Sequence, residues 1–306
     1  MHSQFSSTMR FYRDSLQKVP WLSLTGYGVL IILNGLLVSL FLPATWQRSF
    51  LRFLLTAPLI LILAKDLACF PLSVGRMKAA KARGAAWPHR LCAVLPPEFL
   101  SFMRLERTMW RGLLNWVLRR QLPARPTGKP LGYLERGSYG TVIGIIFVAM
   151  FVEIPFDVLI ASVIAKSPGQ IRTLHLAFGL IMAYSLVWVL GDRWYVQGRR
   201  CHTLTDTSLE LDLGARGFGS IPLNAIARCD RLYEPSQAWC IRNAYPSYAI
   251  RKLTPFDAPN VVLLLQPGCD VQLTLFQLTR GGDGPIFLYL DQPELLIDNI
   301  VGHDAR

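Results

Sequence analysis

Glu153 and Asp157 stand one helical turn apart in GTVIGIIFVAMFVEIPFDVLIASVIA, a run otherwise composed for lipid. Residues at that spacing share a helix face. A charged acid at the centre of a bilayer costs at least about 2.5–3.5 kcal/mol, so such side chains face protein or water. Their uses are a polar joint between helices, a proton or cation path, or a small-ligand site. Pro155 sits between them. It has no N–H to give, which leaves the carbonyl near Phe151 without its helical donor. Depth suggests the partners. Asn34 lies near the middle of the first apolar run. Arg52 and His175 open the second and the fourth. The candidate intramembrane cluster is therefore Glu153, Asp157, Asn34, Arg52 and His175.

Catalysis finds little support in the residue patterns. The chain carries no HExxH, no GxSxG and no Walker loop. Cys69, Cys92, Cys201, Cys229, Cys240 and Cys269 include no CxxC pair, and the adjacent Cys201 and His202 have no second pair nearby. These spacings offer no zinc site, and the cysteines read as separate reduced thiols of a cytosolic compartment. The expectation is no catalytic residue, no metal and no cofactor, and an intramembrane hydrolase built on the two acids and His175 ranks behind the other uses of that face.

Four apolar segments must position the acids: residues 22–42, 50–70, 139–165 and 173–190. Each is near the ~20 residues that a bilayer requires of a helix. Mean hydropathy is +0.32, high for a chain of 306 residues. Segment 22–42 follows Arg10, Arg13 and Lys18 as a signal peptide would, but its apolar run is long and LPATW is a poor cleavage site. It reads as an uncleaved anchor.

Charge is unevenly placed. Residues 1–191 hold 21 Lys and Arg against 7 Asp and Glu, and residues 192–306 hold 11 against 13. The basic half is also the apolar half, which favours a membrane over nucleic acid as partner. Residues 71–136, between the second and third segments, hold 13 Lys and Arg against 3 acids. Basic loops stay in the cytoplasm, so both termini are expected there as well. Lys65-Asp66 and Gly191-Asp192-Arg193 read as cytosolic ends of segments two and four.

Within that loop, SVGRMKAAKARGAAWPHR reads as a basic helix end stopped by Gly84 and Pro88. PPEFLSFMRLERTMWRGLLNWVLRRQLP follows as an amphipathic helix. Phe99, Phe102, Trp110 and Trp116 mark its apolar face, and Arg104, Arg107 and Arg111 its basic one. That pattern suits either a helix lying on anionic lipid or one packed on the protein's own cytosolic domain. Residues 124–132 read as a flexible lead into segment three.

After Gly191 the period changes to two. SLELDL alternates Leu209, Leu211 and Leu213 with polar residues, as a half-buried strand does. ARGFGSI, IARCDRLY, SYAIRKL, NVVLLLQ, VQLTLFQ and PIFLYLD continue the series, and QPELLIDNIVGH closes it as a helix. The expected fold is an α-helical membrane domain, 1–191, followed by a small β-barrel or sandwich of about seven strands with a terminal helix, 192–306.

GDRWYVQGRRCHTLTDTSLELDLGARGFGSIPLNAIARC, NVVLLLQ and IFLYLDQPELLIDNI together resemble a bacterial pleckstrin-homology-like (PH-like) domain, with Ile221-Pro222-Leu223 at its I-P-hydrophobic turn. The chain is similar to bacterial multi-pass membrane proteins that carry such a tail. The resemblance implies a bent seven-stranded barrel plugged by a helix, and no catalytic residues. The expected setting is a bacterial inner membrane, where the helices display the cytosolic domain to an unidentified protein or to the lipid surface. Transport through the Glu153 and Asp157 face is the alternative, and with four spans it calls for a homo-oligomer.

Overall fold

Two long apolar helices leave a β-sheet from one strand and return to it at the next. The structure is a computed structural model describing residues 16, 19, 21–39, 42–122, 124, 126–165, 167–196, 200–246 and 250–304. It divides into two units, Met1–Phe102 and Met103–Arg306. Arg10, Arg13, Lys18 and Lys166 lie outside the described residues.

The first unit contains α1 (Trp21–Ser39), α2 (Ala44–Ala82) and α3 (Trp87–Cys92). Helix α4 (Pro97–Val117) crosses into the second unit. The segment expected at 50–70 is the middle of a 39-residue helix, about 58 Å long at 1.5 Å per residue. Lys65 is therefore not at a helix end. It is 1% exposed, donates to the carbonyls of Leu16 and Val19, and lies 5.0 Å from the centre of the Trp21 ring. Its charge is held by main-chain oxygens and an aromatic face instead of reaching out to water. Gly84 does stop α2, with φ at 72°, but Pro88 begins a helix where a stop was expected, because its missing N–H is harmless in a first turn. Arg76 donates to the carbonyls of Ala93 and Val94, fixing the chain beyond α3.

In the second unit, β1 (Lys129–Gly132) precedes α5 (Tyr139–Ile164) and α6 (Pro168–Val196), and β2 (Cys201–Leu204) follows them. Strands β1 and β2 pair antiparallel, from Lys129 opposite Leu204 to Gly132 opposite Cys201. Part of the supposed flexible lead is thus an edge strand. Its proline is tolerated because an edge leaves one row of ladder donors unused.

The remaining strands are β3 (Ser208–Asp212), β4 (Gly217–Pro222), β5 (Ile226–Arg231), β6 (Arg251–Leu253), β7 (Val261–Leu265), β8 (Leu273–Leu275), β9 (Leu278–Arg280) and β10 (Ile286–Leu288). They form a six-stranded sheet ordered β1-β2-β3-β4-β8-β9 and a four-stranded sheet ordered β5-β7-β10-β6. Only β6 and β10 run parallel among the described pairs. About seven strands were expected. The described residues hold ten, because β1, β2 and β9 are short and lack a run of alternation. A short helix, α7 (Ser236–Arg242), also went unanticipated.

Leu209, Leu211, Ile221, Leu263, Leu273 and Ile286 fill the space between the sheets, joined by Leu296 and Ile300 of the terminal helix α8 (Glu294–Asp304). Leu209, Leu211 and Leu213 are all buried, as their alternation requires.

Three helices among the described residues are long and apolar enough to cross a membrane: Thr45–Ala82, Tyr139–Val163 and Pro168–Val196. The run expected at 22–42 is helical as α1, and residues 40 and 41 lie outside the described residues.

Candidate functional site

Glu153 and Asp157 face α6. With Met150, Phe178, Ile181, Met182 and Ser185 they line a cleft of about 150 Å³. Glu153 is exposed and Asp157 half-buried, and neither forms a hydrogen bond or ion pair among the described residues. Ser185 was not anticipated as a neighbour. Its hydroxyl donates to Ile181 O at 3.0 Å. Helix α5 runs unbroken through Pro155. His175 is exposed and does not line this cleft. Asn34 and Arg52 belong to the first unit, where Asn34 donates to Leu30 O of its own helix at 2.8 Å and Arg52 is exposed.

The most heavily bonded polar site lies at the foot of the helical hairpin. Helix α6 does not stop at Gly191-Asp192 as read from sequence: it continues to Val196, and both residues are buried. Asp192 Oδ1 and Oδ2 accept from Arg216 Nε and Nη2 at 3.0 and 2.7 Å, a bidentate pair. Tyr139, the first residue of α5, donates its hydroxyl to Asp192 at 2.8 Å. Arg216, from the β3–β4 turn, also donates to Pro255 O at 3.1 Å and stacks 4.2 Å from the centre of Phe256. One acid therefore ties α5, α6 and the sheet together. Nothing in the residues around Gly191-Asp192 announces this contact, since Arg216 reaches it from a turn 24 residues later.

Two more carboxylates secure the approach to α5. Asp291 accepts from the main-chain N–H groups of Glu135 and Arg136 at 3.0 and 2.9 Å. Asp257 accepts from Ser138 N at 2.9 Å, just where the helix begins. Negative charge at a helix N-terminus satisfies donors that the helix cannot.

Helix α4 resolves into three stripes. Leu105 and Met109 are buried against Val187 and Ala215. Phe99, Met103, Trp110, Leu114 and Val117 are exposed on the opposite side, beside exposed Arg104, Arg107 and Arg111. Phe102 and Trp116 are exposed as well. Glu106 accepts from Trp110 Nε1 at 2.9 Å and from the hydroxyl of Tyr184 on α6 at 2.6 Å. The helix thus packs on its own domain with one stripe and leaves an aromatic stripe and a basic stripe open.

His202 is fully buried in β2. Its Nδ1 accepts from Asp212 N–H at 3.0 Å, which assigns the hydrogen to Nε2, and its ring lies 4.8 Å from that of Tyr133. Burial lowers its pKa to about 3, and burial followed by the nearby Asp212 raises that of Tyr133. An unfolded His202 takes up a proton below about pH 6.5 and the folded one does not until about pH 3. Its contribution to stability is therefore complete above pH 6.5 and declines as pH falls. Moving from pH 7 to pH 5 should cost about 2 kcal/mol by linkage, read as a fall in amide protection factors across β2 and β3 once the slower intrinsic exchange at pH 5 is divided out. In His202→Gln that share of the slope should vanish. A variant with the same slope as the parent would contradict the assignment.

A larger cleft, about 430 Å³, lies over β2, β3 and β4. Its acids are already engaged: Asp212 pairs with Arg200, and Glu210 accepts from Ser208 and Ser220 hydroxyls. All six cysteines are free, and burial, followed by Asp230, pushes Cys229 up to about 12, so its thiol stays unreactive at neutral pH. No group of three or more His, Cys, Asp or Glu in a metal-holding arrangement occurs among the described residues.

No family model matches this chain, and neither a curated protein nor a solved structure does.

Proposed function

We propose that this chain is an integral protein of a bacterial inner membrane. It crosses the bilayer four times, keeps both termini in the cytoplasm, and displays a PH-like β domain on the inner face. Its work is to hold that domain against the membrane for contact with a protein or with lipid, without catalysis. The observation that carries this reading is the seating of α5 and α6 between the paired strands β1 and β2, with Asp192 bonded to both Arg216 and Tyr139. A hairpin rooted at both ends fixes the orientation of the sheet relative to the bilayer. The basic loop 71–136 and the open aromatic and arginine stripes of α4 suit the inner interface, where anionic lipid attracts Arg and Lys. The terminal helix α8 closing two sheets supports the PH-like assignment.

The cleft beside Glu153 and Asp157 favours a second reading, proton- or cation-linked transport by an oligomer. Full-length protein in proteoliposomes separates the two. Under display, Glu153→Gln combined with Asp157→Asn leaves the protein folded, and neither form conducts protons or sodium. A flux seen in the parent and abolished in the double variant would replace display with transport.

A further inference from the structure

The turn joining β8 to β9 has two residues, Phe276 and Gln277, with φ of 48° and 64°. Two-residue hairpins with both central residues left-handed normally use Asn-Gly or Gly-Gly, because a side chain crowds the backbone there. A phenylalanine in such a place needs a reason. Core packing does not supply one, since Phe276 is 58% exposed. The surroundings hold the conformation: Phe276 N donates to Arg216 O at 2.7 Å, and Gln277 Nε2 donates to Ala215 O at 3.1 Å.

Those two carbonyls locate the tip. Ala215 is buried against Leu105 and Met109 of α4 and against Val187 of α6. Arg216 grips Asp192, also on α6. Val187 and Asp192 are five residues apart, about 7.5 Å of helix, at the end of an apolar span. The tip thus stands level with the edge of that span. Phe256, 43% exposed and stacked on Tyr139 at 5.8 Å, lies on the same rim. Aromatic side chains that are useless in a core and awkward in water belong in the headgroup layer.

We propose that the β8–β9 tip is a membrane anchor of the β domain, with Phe276 seated in the headgroup layer of the bilayer that α5 and α6 cross. The inference rests on the membrane reading above and adds a second foothold beside α4. Continuity with the spanning helices identifies the occupant as lipid.

The test uses full-length protein in phosphatidylglycerol-containing nanodiscs, with the three cysteines that are not buried, Cys69, Cys92 and Cys269, changed to Ser. Single spin labels are placed through Phe276→Cys, through Ile146→Cys in α5, and through Arg228→Cys on exposed β5. Collision with a water-soluble nickel reagent should be severalfold lower at 276 than at 228, and oxygen collision higher. Gln277→Cys keeps the phenylalanine and gives the same readout if the first variant disturbs the turn. Labels at both 276 and 277 that meet nickel as freely as 228, with 146 still protected, overturn the anchor alone. Nickel access at 146 as well overturns the membrane reading beneath it.

Discussion

Asp192→Ala should destabilise the second unit by about 3–5 kcal/mol, the usual cost of removing one member of a buried ion pair. The side chain is 5% exposed and Arg216 is 16% exposed, so water cannot readily replace what is lost. The substitution leaves Arg216 with Pro255 O and the faces of Phe256 and Tyr139, but without a counter-charge. It also strips the Tyr139 hydroxyl of its acceptor at the foot of α5. Chemical unfolding of the detergent-solubilised protein would measure the loss. Amide exchange at residues 139–143 and 213–217 should rise together, because the same carboxylate holds both. Replacing both partners, Asp192→Leu with Arg216→Met, should recover much of the stability, since no charge is then left buried. The double variant would still lack the bond from Tyr139. A single variant that loses under about 1 kcal/mol would show that the pair is solvated in practice, as surface pairs are.

That site was invisible to sequence reading for a physical reason. Asp192 and Arg216 are 24 residues apart, and their meeting depends on the β3–β4 turn folding back onto α6. Gly191-Asp192 carries the local marks of a helix end. Only tertiary packing of Trp194 and Val196 makes the helix continue. The acids at 153 and 157 were legible because one turn of a helix places both on one face, and Ser185 was not, because it comes from the facing helix. Strands with a period of two, such as SLELDL, were readable from their own residues. Strand β1 was not: KPLG has neither alternation nor a β-branched residue, and it becomes a strand only because β2 offers an edge. The aromatic and basic stripes of α4 were both present in the sequence, and both stay open. The stripe that is covered, Leu105 and Met109, lies beside the contact of two glycines, which single-sequence patterns read as weak helix formers and nothing more.

Those glycines carry the other large expectation. Gly112 of α4 and Gly191 of α6 meet where the two helices cross. A Cβ on Gly191 would fall onto Met109 O, and one on Gly112 onto Gly191 O, in both cases well inside contact distance. Both obstructing atoms are main chain and have no rotamer to escape into. Gly191→Val should therefore push α4 away from α6 and open the cluster of Leu105, Met109, Val187 and Ala215 to solvent or lipid. Overpacking costs about 1–3 kcal/mol, and losing the buried side chains adds to it. The two variants act on one separation, so their penalties cannot add: once Gly191→Val has parted the helices, Gly112→Val meets open space. A double-mutant cycle on unfolding free energy should return a coupling of about 1–3 kcal/mol, with the double variant little worse than the worse single one. Full additivity would mean that each helix relaxes on its own and that the crossing holds neither in place. The same cycle read through amide exchange in α4 distinguishes detachment, which frees the whole helix, from local strain, which frees one turn.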